Sequence, residues 1–188
     1  MKQTEKSKIT HNELLKAAHS LFIEQGFNHT TITDIVTRAG YSTGIFYKHY
    51  KTKTDILVEL WTNYIENSCL KSIVRIQETN ATLEETLSSI LMSVKEFRAN
   101  PIYTYYAEAL IENDINDSPP PATRAFQKTL VDILRKENPS TSEIRLNTYA
   151  SAIHSIINAV AESNYSNLDY DFDEATTLEI LISIAKEV

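Results

Sequence analysis

The chain has 188 residues, 42% of them apolar, and a formal charge of −7. Its longest apolar runs, such as Ile180-Leu181-Ile182, fall far short of the roughly 18 residues that cross a bilayer, Cys69 as the single cysteine excludes an intrachain disulfide, and the start Met1-Lys2-Gln3-Thr4-Glu5-Lys6 has no signal-peptide core, so a cytoplasmic protein is expected. The charge is uneven: residues 1–53 carry eight Lys or Arg against four Asp or Glu, a balance of +4 that leaves −11 on the rest, as suits one end meeting a phosphate backbone while the remainder repels it.

All three glycines (Gly26, Gly40, Gly44) fall in one stretch, which argues against hairpin-rich or phosphate-loop architecture beyond residue 44. In chain order, helix starts are read at Thr10 with Glu13, Thr31 with Asp34, Ser42, Thr52 with Asp55, Thr82 with Glu85, Asn100-Pro101, Ser118-Pro119, Ser140 with Glu143 and Asp171 with Glu174. That is nine helices, an all-α chain.

Leu14, Ala18, Leu21 and Phe22 give the first helix one buried face, and it ends at Gly26. The second runs from about Ile32 to Ala39 with Ile32, Ile35, Val36 and Ala39 inward. Gly40-Tyr41-Ser42 then turns the chain, with Gly40 at positive φ and Ser42 as the next cap, into a third helix over 43–50. This is a helix-turn-helix. Phe46 and Tyr50, four apart, anchor the third helix. Thr43, Gly44, Ile45, Tyr47, Lys48 and His49 stay outward or lateral: Gly44 for close approach, Ile45 for a thymine methyl, Thr43 and Lys48 for base edges, Tyr47 and His49 for phosphates. Lys53, at the start of the fourth helix, is a further phosphate candidate.

Residues 14–53 resemble the DNA-binding segment of the TetR family of regulators. The resemblance rests on Leu14-Leu15-Lys16-Ala17-Ala18-His19-Ser20-Leu21-Phe22, Gly26-Phe27, Thr30-Thr31-Ile32, Asp34-Ile35, Ala39-Gly40-Tyr41-Ser42, Gly44 through Tyr50, and Lys53. It implies a nine-helix fold with a DNA-binding domain over 1–51 and an effector-binding and dimerisation domain over 52–188. It also implies that Thr31, Thr33, Thr43, Gly44, Ile45, Tyr47, Lys48, His49 and Lys53 face DNA. Thr43 stands where a longer or basic residue is frequent, and Tyr50 where phenylalanine is usual.

Further along, the middle helices are rich in aromatics. Trp61, Tyr64, Met92, Tyr103, Tyr106, Phe126 and His154 are candidate ligand contacts, although most such residues pack a core and His154 is read first as a hydrogen-bonded interface histidine. Tyr103, Tyr105 and Tyr106 cannot all point inward, so one or two should line an apolar, hydroxyl-bearing cavity, and Glu108 or Glu112 turned inward would favour a cation. The loop around Pro119-Pro120-Pro121 is a candidate gate.

Two helices, over about 142–165 and 173–188, are apolar on two sides and should pair with a second copy as a four-helix bundle. Ile153, Ile156, Ile157, Val160, Leu178, Leu181 and Ile182 are the expected interface. The sequence holds no Gly-x-Ser-x-Gly, His-Glu-x-x-His or nucleotide loop, and Asp169, Asp171, Asp173 and Glu174 lack calcium-loop spacing, so no enzyme, cofactor or metal is expected. The reading is a homodimeric, ligand-responsive regulator, commonly a repressor, released from a palindromic DNA operator by a small lipophilic or aromatic effector. The alternative is an effector-independent nucleoid-organising or partner-binding protein with the same head.

Overall fold

A computed structural model describes residues 3–98, 100–111, 121–163 and 173–188. The described residues are helical throughout, with no strand among them: α1 (Gln3–Gln25), α2 (Ile32–Ala39), α3 (Thr43–His49), α4 (Lys53–Tyr64), a π-helical turn (Ile65–Leu70), α5 (Lys71–Glu78), α6 (Leu83–Arg98), α7 (Pro101–Ile111), α8 (Pro121–Glu137), α9 (Glu143–Ser163) and α10 (Glu174–Lys186). α4, the π turn and α5 follow one another in the chain without a gap, and counted as one helical run they make nine among the described residues. A π turn carries one more residue than a regular turn, and no periodicity in Ile65–Leu70 announces it.

The chain divides into two compact units, Met1–Asn63 with Asn100–Ser118, and Tyr64–Ala99 with Pro119–Val188. Contacts therefore group α4 and α7 with the first three helices, a different line from the functional boundary expected after residue 51.

In the first unit, Leu14, Ala18, Leu21 and Phe22 of α1 meet Ile35 and Val36 of α2, Phe46 of α3 and Ile56 and Leu57 of α4, all buried. The caps decide where these helices stop. Thr31 and Asp34 form a full capping box, and Gly40 closes α2 in the left-handed conformation at φ 75°. Ser42 does begin α3, but through its carbonyl, which accepts from Ile45 and Phe46 N–H; its hydroxyl makes no capping bond.

The start read at Thr10 is corrected, since α1 begins at Gln3 and Thr10 lies within it. Thr10 Oγ1 instead donates to Tyr41 Oη, which donates in turn to Glu13. The pair thus ties α1 to the α2–α3 turn.

In the second unit, α6 contributes Leu87, Ile90, Leu91 and Val94 to the core, α8 Phe126, Leu130, Ile133 and Leu134, α9 Leu146, Ala150, Ile153, Ile157 and Val160, and α10 Leu181 and Ala185. Thr82 and Glu85 box the start of α6. The cap of α9 falls at Ser142 rather than Ser140, and α10 is capped by Asp173, whose carboxylate accepts from Thr176 N–H at 2.7 Å. Ser118, Asp169, Asp171, Glu112 and Pro119-Pro120 lie outside the described residues. Asn138 donates to Ala185 O, Thr141 to Val188 O and Arg145 to Glu187 O, so the open carbonyls at the end of α10 are met by side chains.

Candidate nucleic-acid interface

The third helix is one-sided. Phe46 is fully buried and Tyr50 nearly so, whereas Thr43, Gly44, Tyr47 and Lys48 are exposed and Ile45 and His49 half-buried. Tyr47 shows 57% of its surface although its ring meets Phe46 edge-on at 5.4 Å. An aromatic of that size left in water on a seven-residue helix is available to a partner.

Gly44 has no conformational reason to be glycine: its φ is not in the left-handed region, and the nearest atom an added Cβ would meet, Ser42 Oγ, is 3.9 Å away. Gly40 is the opposite case, with open space around it but a φ only glycine adopts cheaply.

Thr31 and Thr33 are exposed at the start of α2, but the Thr31 hydroxyl donates to Asp34 Oδ2 at 2.7 Å. What Thr31 offers outward is its methyl group and the helix N-terminus. Burial, the His11 ring at 5.6 Å and Lys48 together hold the His49 imidazole below its ordinary pKa, which favours the neutral ring.

Lys53 departs most from expectation. Its Nζ donates to the carbonyls of Phe27 (2.6 Å), Asn28 (3.4 Å) and Thr30 (2.9 Å) and lies 4.3 Å from the Phe27 ring centroid. An ammonium has three protons, and three carbonyls of the α1–α2 connection take them. Lys53 thus clips α4 to that connection, and a phosphate contact there would share the ammonium with these carbonyls.

The candidate ligand residues distribute over both units. In the first, Trp61 and Tyr106 are buried and stack at 4.2 Å and 13°, and Tyr103 is half-buried. The Tyr106 hydroxyl has no hydrogen-bond partner among the described residues, and burial pushes it up to about 12. In the second, Tyr64 is half-buried, while Phe126 is buried and meets His154 edge-on at 5.2 Å. His154 also lines a cleft of about 490 Å³ with Arg124, Gln127 and Lys128.

Met92, a further candidate ligand contact, lies at the surface. It is 60% exposed and borders an open groove with Ser88, Ser89 and Glu96. Glu108 likewise faces outward.

Of the expected dimer residues, Ile153, Ile157, Val160 and Leu181 are within 2% of complete burial in the chain's own core. Ile156, Leu178 and Ile182 are half-buried, with Leu178 facing the Met92 groove. The apolar surface left on α9 and α10 includes Ile144, Ala152, Ile156, Ala159, Ile180, Ile182 and Ile184.

Among the described residues, no helix is long and apolar enough to cross a membrane, and no group of three or more His, Cys, Asp or Glu is placed to hold a metal ion.

A buried-anchor helix presented by a glycine-capped partner defines a helix-turn-helix nucleic-acid-binding head. Residues 14–60 match the model of the bacterial regulatory proteins of the tetR family. It is 26% identical over 114 residues to the transposon Tn10 TetC protein of Escherichia coli, covering 61% of this chain and 51% of that one. It is 27% identical over 130 residues, 66% and 63% of the two chains, to the transcriptional repressor KstR2 of Mycolicibacterium smegmatis. The chain thus spans about half to two thirds of the length of these curated relatives.

Among solved structures, a Thermus thermophilus FadR, a TetR-family repressor in complex with lauroyl-CoA, superposes with a TM-score of 0.67 at 19% identity over 93% of this chain and 92% of that one. These relatives bear the names of regulators, as the non-enzymatic reading of the sequence expects.

Proposed function

We propose that the protein is a ligand-responsive transcriptional regulator that binds a palindromic operator as a homodimer through α3 and is released, as a repressor, by a small apolar effector. The observation that carries the reading is the division of α3 into a buried anchor, Phe46 and Tyr50, and an outward face of Thr43, Gly44, Ile45, Tyr47 and Lys48. A recognition helix needs that division, because its inner side must fix the angle at which its outer side enters the major groove.

The functional DNA-binding domain is residues 1–51, and α4 transmits. It carries Lys53 on the α1–α2 connection and, two turns later, Trp61 stacked on Tyr106. The buried Tyr106 hydroxyl suits an effector that is hydrocarbon or aromatic at this point and offers it one hydrogen-bonding group; of the lauroyl-CoA held by the Thermus protein, only the lauroyl chain is of that kind. Effector binding shifts the dimer away from the geometry that sets two α3 helices about 34 Å apart, one turn of DNA.

The test is selection of duplexes from a random pool by the purified chain, followed by sequencing. A two-fold symmetric consensus with half-sites one turn apart is expected. Enrichment of no sequence over the starting pool defeats the reading, and many unrelated weak sites identify a nucleoid-organising protein instead.

A further inference from the structure

The end of the reading helix is held by an arrangement that its role as a DNA head does not require. Tyr50 closes α3, its N–H donating to Phe46 O at 3.0 Å, and its ring is buried against Phe46 and stacked on His11 of α1 at 5.1 Å and 23°. A phenylalanine would make all of those contacts. The hydroxyl adds something else: it donates to Glu59 Oε2 of α4 at 2.9 Å and lies 3.2 Å from His11 Nε2, while Glu59 Oε1 lies 2.7 Å from the same Nε2.

A carboxylate only accepts, so His11 Nε2 must carry the proton, whichever charge the ring bears. Glu59 thus accepts from both Tyr50 and His11, joining α1, the last residue of α3 and α4, and the 3.2 Å approach of the Tyr50 hydroxyl to His11 Nε2 is a close contact with no proton of its own. Burial, with the Glu59 charge beside it, pushes the Tyr50 phenol far up, and it remains a neutral donor at any working pH.

We infer that Glu59 is a positioning residue for the reading helix, acting through Tyr50 and His11 to fix the angle of α3 to α4. The role rests on the DNA-binding reading. Glu59 lies two residues before Trp61 on the same helix, so a displacement of α4 that moves the indole also pulls on the hydroxyl at the end of α3. The clasp sits beneath the helix and touches none of Thr43, Gly44 or Lys48. Its loss should therefore alter discrimination between duplexes while leaving general attraction to phosphates intact.

The probe is the duplex that the full-length wild-type chain selects from a random pool, compared with a scrambled duplex of equal length at the same salt. Tyr50→Phe should lower the affinity ratio of selected to scrambled duplex about fivefold and Glu59→Leu about tenfold, as loss of a charge-assisted hydrogen bond implies. Glu59→Gln, whose amide oxygen still accepts from Tyr50 but which loses the charge and sets its NH2 against His11 Nε2, should fall between wild type and Glu59→Leu. The double variant Tyr50→Phe with Glu59→Leu should be no worse than Glu59→Leu alone, since both remove one interaction.

Losses that add, a Gln variant as poor as the Leu variant, or equal weakening on both duplexes would overturn the assignment. So would an unchanged ratio in Tyr50→Phe, which keeps every ring contact and serves as the variant sure to fold. If the wild type selects no duplex, the DNA reading itself fails and this role falls with it, a result distinct from a selected duplex that the variants bind with full discrimination.

Discussion

Two glycines four residues apart answer to different demands, and only one of them is a demand of the fold. Gly40 sits at φ 75°, where any Cβ is strained, so Gly40→Ala should cost about 1–2 kcal/mol in urea unfolding. Gly44 lies inside α3 with room for a Cβ, so Gly44→Ala should raise stability by up to about 1 kcal/mol through helix propensity. The same variant should weaken binding to a selected duplex, because a methyl group then stands where backbone is to approach a base. A stabilised Gly44→Ala protein with undiminished affinity would remove Gly44 from the interface.

Lys53 sharpens the distinction between a residue type and its use. Lys53→Met should destabilise the chain by about 1–3 kcal/mol through the carbonyls it leaves unmet. The dependence of duplex binding on salt should hold its slope. A slope shallower by about one would place the ammonium on a phosphate after all. From sequence, a lysine at the first turn of a helix after a DNA head reads as a phosphate ligand. That its stem is long enough to reach back to Phe27 and Thr30 depends on how α4 crosses the α1–α2 connection, a tertiary fact with no local sign.

At the scale of elements, what was legible followed from local chemistry. The bounds of α2 match to the residue because Thr31 with Asp34 and Gly40 mark its ends with side chains and backbone that act within one turn. Thr10 with Glu13 carries the same signature and marks nothing. The chain before it, Gln3 to Ile9, also forms helix, and both side chains find Tyr41 thirty residues on. A capping box competes with continuation of the helix, and the pattern alone does not decide the winner. The π turn at Ile65–Leu70 and the burial of Ile153, Ile157, Val160 and Leu181 within the chain were illegible for a related reason: the sequence shows that a helix has two apolar sides, not which side its own chain covers.

The capping carboxylates also make a pH prediction. Hydrogen bonds from Thr31, Thr82 and Thr176 hold Asp34, Glu85 and Asp173 below their usual carboxylate range. A folded-state pKa depressed in this way contributes stability that is fully present above the unfolded value and is lost as pH falls through the folded one. The melting temperature of the wild type should therefore drop from about pH 4.5 downward. It should drop less steeply in a Thr31→Ala, Thr82→Ala double variant, which starts lower at pH 7. Parallel curves for the two proteins would show that the caps do not carry the acid sensitivity.

For the whole molecule, the argument turns on what a single copy leaves uncovered. One seven-residue helix with Thr43, Lys48 and few neighbouring cations makes too few contacts for tight specific binding, and a net charge of −7 works against it. Two copies fixed in register solve this. The apolar surface that α9 and α10 keep after filling their own core offers the contact, with Ile180 at 46% exposure and Ile144 at 82%. If α9 and α10 meet their symmetry mates, Ile180→Asp places two carboxylates against an apolar seam near the dyad while leaving Leu181 and Ala185 packed inside each copy. The expected result is a chain that elutes as a monomer, keeps its helical circular dichroism and loses about a hundredfold or more in affinity for a palindromic duplex, since one half-site must then bind alone. Binding to an isolated half-site should be unchanged. A dimeric Ile180→Asp protein would move the interface off α10, and a monomer that still bound the full palindrome tightly would show that a single head suffices.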